Sequence, residues 1–318
     1  MSQPGNLSSE FWSRSNQSQR FVPSTGVTDQ FHKMLIPATT KDPTIVEGYV
    51  QAAYLAIFPK GDRFFVPRVF GFAIECFTGH YADYQAVDAC YHDLEHTLQG
   101  TLCMARLLHG RHCADAQPAV TERLFQLGII GILLHDTGYL KKHDDIEGTG
   151  AKYTATHVNR SAEFSAQLLS EKGFSPVDIA AVQSMIRCTG IDADLREIRF
   201  HGEQEKIVGH ALASADLLGQ MAADDYVDKL PILYAEFAEA AQYNGGLVDF
   251  IAKFQGAGDL VHRTLAFWYE FVLPKLDRDF GGLHRFLNNP YPDGPNDYLR
   301  RIEKNMDRIR HLLASGKT

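Results

Sequence analysis

Two histidines, His92 and His96, stand four residues apart in Tyr91-His92-Asp93-Leu94-Glu95-His96-Thr97. On a helix that spacing places both rings on one face, about one turn apart. Such a pair can serve one metal ion, or one ring can hold the metal while the other works on a substrate beside it. A second feature is the doublet His135-Asp136, which closes the apolar run Gly128-Ile129-Ile130-Gly131-Ile132-Leu133-Leu134. An ionisable group at the end of a buried apolar run needs a partner, because an unpaired buried charge is costly. A divalent cation supplies one. Imidazole and carboxylate suit zinc, iron, nickel, manganese and, through oxygen, magnesium.

With these two features in view, the chain resembles the HD-domain metal-dependent phosphohydrolases. Their signature is a His, a His-Asp doublet at the end of an apolar helix, and a distant Asp on a later helix. The matching positions are His96, His135-Asp136 and Asp216, the last within Ala213-Ser214-Ala215-Asp216-Leu217-Leu218-Gly219-Gln220-Met221. The resemblance covers about residues 85–225. It implies an all-α, HD/PDEase-like helical bundle with one or two divalent cations (Mg, Mn, Fe, Ni or Zn) at its centre. The segment from Tyr91 to Thr97 further resembles the Tyr-His-Asn-x-x-His segment of class I cyclic-nucleotide phosphodiesterases. That resemblance implies His92 as the general acid that protonates the leaving oxygen and His96 as a metal ligand. Asp93 stands where that family has Asn, and its purine-gripping glutamine has no clear counterpart after Asp216.

The reaction so implied is hydrolysis of a small phosphodiester, such as a cyclic nucleotide, by attack of a metal-activated water. A nucleotidase or other phosphomonoesterase on the same metal site is the alternative. An HD-type di-iron oxygenase would need more histidines between the doublet and Asp216, and Met185-Ile186-Arg187 stands where a His pair is expected. A (p)ppGpp hydrolase is disfavoured because Thr137-Gly138-Tyr139-Leu140 follows the doublet. A non-catalytic nucleotide sensor would usually have lost a ligand, and here all four are present.

Candidates for holding substrate lie between the metal motifs. His157 and Arg160 share a predicted helix face with Ser161, and Lys152 sits in the preceding glycine-rich loop. Arg160 offers two parallel donors to a phosphate and Lys152 a point charge. His157 also matches the additional His that some two-metal HD enzymes use. Asp144 and Asp145 could meet a second cation through water, but consecutive loop acids read first as solvated. The remaining histidines, His210 included, read as surface or capped core residues; a six-residue separation turns His210 away from Asp216.

The elements that must position these groups are helices. Apolar periodicity and stop signals predict helices over 45–58, 64–78, 83–109, 120–136, 154–172, 176–187, 203–224, 229–243, 245–255, 257–275 and 294–315, with a loop over 141–152. Gly138 reads as a stop signal. Residues 1–42, rich in Ser, Gln, Thr and Pro, read as a flexible extension, and 43–318 as one domain, its metal-binding core over 85–225 and its C-terminal helices over 226–318.

Hydrophobic residues make up 45% of the chain and charged residues 22%, as in folded soluble proteins. The net charge of −8 argues against nucleic acid as a partner, which needs a basic surface. The expected partner is a small phosphate ester, and the resemblance implies a nucleotide. The five cysteines form no Cys-x-x-Cys pair, and with neither an apolar leader nor a membrane-length run the expected location is cytoplasmic.

Overall fold

The computed structural model describes residues 40–191, 193–245 and 254–316, and among them the chain is all-α, with β-pairing limited to isolated bridges. Capping residues start most of the helices that matter here. In α1 (Pro43–Ile57) the Asp42 carboxylate accepts from Thr44 N at 2.9 Å, with proline in the first turn. α2 spans Phe65–Phe77 and α3 Leu94–Cys113. α4 (Glu122–Leu134) starts at the Thr121 hydroxyl and α6 (Pro176–Arg187) at the Ser175 hydroxyl, with α5 (His157–Glu171) between them. α7 (Glu203–Met221) and α8 (Tyr226–Tyr243) follow. α9 (Ala257–Ala266) passes through a π-helical stretch, Phe267–Val272, into α10 (Leu273–Arg278). α11 (Asp297–Ala314) is capped by Asn296, whose side-chain oxygen accepts from Tyr298 N and Leu299 N.

Two expectations are corrected. The helix predicted over 83–109 begins only at Leu94 and continues to Cys113. Asp93 stops it from starting earlier: its carboxylate accepts from His96 N at 2.8 Å, as an N-cap does. Upstream backbone groups are engaged elsewhere, Gln85 N with Lys141 O and Val87 N with Phe77 O. His92 therefore precedes the helix. The loop over 141–152 ends in a short helical turn, Gly150–Tyr153. The helix expected over 245–255 falls mostly on residues outside the described ones, as does the extension up to residue 39.

α3 is the central helix, buried on nearly every side from His96 to Arg111. It packs against α1, α4 and α7, while α6 bridges α4, α5 and α7. The buried apolar residues form one cluster from Val46 to Ile309. α3 and α7 meet at backbone contact. A Cβ added to Gly219 would stand 2.7 Å from the carbonyl carbon of Gln99 and from the amide nitrogen of Gly100. Only glycine allows that approach, and it occurs about one turn beyond both His96 and Asp216. Among the described residues no helix is long and apolar enough to cross a membrane. All five cysteines are free thiols, and Cys76, Cys103 and Cys188 are buried.

His210 is a core residue outside the His/Asp cluster. It is buried between Phe200 and Phe280, at ring-centroid distances of 6.2 and 5.6 Å. Burial, with Lys206 adding to it, pushes the imidazole down to about 4 from 6.5.

Two outcomes follow from this packing. Gly219→Ala forces α3 and α7 apart and should cost about 1–3 kcal/mol in urea unfolding. His210 is held neutral, so its stabilising contribution is fully present above pH 6.5 and is lost as the pH falls toward about 4. The native protein should lose up to about 3 kcal/mol over that window through this residue, and His210→Leu should show a flatter acid limb in the same titration.

Candidate metal centre

α4 is apolar and buried to its end, so the residues that close it enter the core with it: His135 is 1% exposed and Asp136 2%. His96 arrives from the first turn of α3 and Asp216 from the body of α7. The backbone contact at Gly219 holds those two helices close enough for the four side chains to converge. His96 Nε2 lies 3.1 Å from Asp136 Oδ2 and 3.3 Å from Asp216 Oδ1. His135 Nε2 lies 3.3 and 3.4 Å from the same two oxygens.

Ligand atoms held about 2.0–2.2 Å from one ion at angles near 90–110° stand about 3–3.5 Å apart, so this is the spacing of donors around a single cation. The ligand atoms of His96, His135 and Asp216 all fall within 4.8 Å of one another. His135 Nε2 and Asp136 Oδ2 are buried, and no well-aligned hydrogen bond satisfies either within the protein. Buried polar atoms left in that condition are rare, and an ion would engage both.

Each imidazole faces both carboxylates. Burial alone would lower the His96 imidazole, but the Asp136 and Asp216 carboxylates overcome it and raise it to about 10. His135 is raised in the same way, against its burial. Burial works against ionising Asp136 and Asp216, yet the facing imidazoles hold both well below the usual carboxylate range. A cation at the centre would take the place of those imidazole protons. His135 Nδ1 is hydrogen-bonded to Ile132 O at 2.7 Å, which aims Nε2 into the cluster.

His92 lies beside the cluster, its ring 5.4 Å from that of His96. Its Nδ1 meets Glu236 Oε2 at 2.6 Å, and Glu236 Oε1 accepts from Tyr91 N at 2.7 Å. Burial works against the Glu236 charge, but His92 and these hydrogen bonds lower its carboxyl below the ordinary value. Sequence reasoning missed Glu236. It is 4% exposed on α8, and its one mark in the sequence is an acid among small and aromatic residues in Ala235-Glu236-Phe237-Ala238.

His157 also faces the cluster. Thr154 O at 2.6 Å from Nδ1 orients the ring, and Nε2 stands 3.9 Å from Asp136 Oδ1. Burial lowers its imidazole. The buried Tyr139 ring packs on both His92 and His157, at 4.4 and 4.7 Å.

The other two substrate candidates are engaged elsewhere. Lys152 Nζ pairs with Asp145 and donates to Glu147 O at 2.6 Å. Arg160 donates from Nε to Gly138 O at 2.7 Å and from Nη2 to Leu140 O at 2.9 Å, with its guanidinium 3.5 Å over the Tyr153 ring. Asp145 is likewise bound to Lys152 and Tyr153, not free for a cation. Ser161 Oγ accepts from Gly138 N at 2.8 Å. Gly138 matters for approach as well as for stopping a helix, since a Cβ there would lie 2.0 Å from His157 O. These bonds fix the turn after His135-Asp136 onto α5.

A family model matches residues 73–286, which span every side chain of this site. The chain belongs to the Npun_R2479-like family. No curated protein matches it. In this Npun_R2479-like chain a separate surface groove of about 520 Å³ is lined by Asn296, Arg300 and Asp307 among others, and none of the cluster residues reaches it. Arg300 there pairs with Asp297 and Asp307 with Arg310, and the buried cluster, with its converging ligand atoms, is the stronger candidate.

If the cluster holds a cation, saturating Zn²⁺ or Mn²⁺ should raise the melting temperature, because the ion binds only the folded state. At a hundred times Kd the gain is about 2.7 kcal/mol. Asp136→Ala should abolish the shift in a thermal melt titrated with the metal.

Proposed function

We propose that this protein is a metal-dependent phosphohydrolase with an HD/PDEase-like helical core, acting on a small phosphodiester such as a cyclic nucleotide. The observation that carries the reading is the convergence of His96, His135, Asp136 and Asp216 on one point, with His92 alongside in the grip of a buried carboxylate. The order of these residues along the chain matches the HD signature, and His92 stands at the position of the general acid in the phosphodiesterase segment that it resembles.

His96, His135, Asp136 and Asp216 would hold a divalent cation. That ion would supply a Lewis acid for phosphoryl oxygens and an acidified water. The rest of the chemistry belongs to the chain. Glu236 accepts from His92 Nδ1, which fixes the ring and leaves Nε2 to present a proton to the departing alkoxide. Tyr139 packs flat on His92 and limits the ring's rotation. His157, oriented by Thr154, stands by the second oxygen of Asp136, where it would contact a phosphoryl group or help hold a second cation.

The test uses purified protein with added Mn²⁺ or Zn²⁺ on cyclic and linear phosphoesters. Turnover of a cyclic nucleotide is expected, and hydrolysis of monoesters alone would transfer the reading to a nucleotidase. His92→Ala should keep the metal and lose about a hundredfold to ten-thousandfold in rate on a ribose ester. It should lose far less on a nitrophenyl ester, whose leaving group needs little proton donation. His96→Ala should lose both metal and activity. Loss of metal from His92→Ala as complete as from His96→Ala would make His92 a ligand and overturn its assignment.

A further inference from the structure

Resting on the metal-centre reading, we infer that Tyr91 and Gln220 form a strut that positions the Asp216 carboxylate for its ion. Gln220 lies one turn after Asp216 on α7. Its Nε2 donates to Asp216 Oδ1 at 3.2 Å, the same oxygen that faces His96 and His135, and to Asp216 O at 3.3 Å. The amide can point only one way. A carboxylate and a carbonyl only accept, so the NH₂ must face them and Oε1 must face outward. Tyr91 supplies the donor that Oε1 then needs, its hydroxyl lying 2.9 Å away.

Tyr91 is itself fixed. It is 3% exposed, its ring packs against His92 and His96 at 5.0 and 5.8 Å, and its backbone N–H donates to Glu236. One residue thus holds the carboxylate that orients His92 and the amide that orients Asp216. The strut leaves Asp216 Oδ1 turned toward the two imidazoles while one lone pair is held by Gln220. A carboxylate restrained this way meets an ion in a defined direction, and losing such outer hydrogen bonds typically weakens metal binding about ten- to hundredfold. Gln220 is therefore a positioning residue whose side chain faces Asp216.

The experiment loads full-length protein with Co²⁺, whose visible absorption reports coordination geometry. Tyr91→Phe keeps the buried ring and removes only the hydroxyl, and Gln220→Leu keeps the volume and removes the amide. Circular dichroism and melting of the metal-free proteins check folding. Each variant should bind Co²⁺ about ten- to hundredfold more weakly and shift its visible band. Because the two act through one chain of bonds, the double variant should be no weaker than the worse single one. Unchanged affinity and spectrum in folded Tyr91→Phe and Gln220→Leu would overturn the strut while leaving the metal centre standing, as would losses that multiply in the double variant. A folded parent protein that binds no Co²⁺ would remove the metal centre, and the strut with it.

Discussion

Two carboxylates and two imidazoles share a small volume at the meeting point of α3, α4 and α7, and the remaining architecture answers to that fact. Asp136 and His135 are carried into the core by the apolar, buried C-terminal part of α4, Leu127–Leu134. Isolated, either charge would be costly in that position. Together with His96 and Asp216 they form a cluster in which each imidazole faces two carboxylate oxygens. A buried ionic cluster is a poor device for stability compared with apolar packing. A cation held by the four side chains, as proposed above, would account for such a cluster in an otherwise well-packed helical core.

Such a centre demands close helix approach, because imidazole and carboxylate side chains are short relative to the ordinary 8–10 Å separation of helix axes. Gly219 meeting the backbone of Gln99 and Gly100 meets the demand on one side. On the other, the turn at Thr137–Tyr139 is bound to α5 through Ser161 and Arg160, which fixes the direction in which Asp136 leaves α4. Arg160 thus works for the site through the backbone of Gly138 and Leu140.

α8 ties down the rim. Glu236 engages His92 and Tyr91, and Glu239, one turn later, accepts from both the backbone and the hydroxyl of Thr149. The two segments that flank the cluster, 88–93 and 141–153, are also joined to each other, Asp88 accepting from Gly150 N and pairing with Lys141. This restraint suits the proton-donor role proposed for His92, whose reach would have to be set to within a fraction of an ångström.

The sequence by itself determined the helical class, most helix positions and the candidate ligands. The helices follow from local periodicity and from start signals such as Ser175-Pro176, and His135-Asp136 from an acid and an imidazole at the end of an apolar run, while His96 and Asp216 came from the resemblance to the HD phosphohydrolases. Local pattern failed at residues 83–93, where the apolar spacing suits a helix but Asp93 caps a later start and the upstream backbone pairs with distant residues. Only the tertiary structure decided what surrounds the cluster. Glu236 lies 144 residues from its partner His92, and Gln220 129 residues from Tyr91, separations across which sequence carries no periodic signal. The same holds for Lys152 and Arg160. Their types suit phosphate, but hydrogen-bond acceptors brought close by the fold, Asp145 for one and the carbonyls of Gly138 and Leu140 for the other, occupy them first.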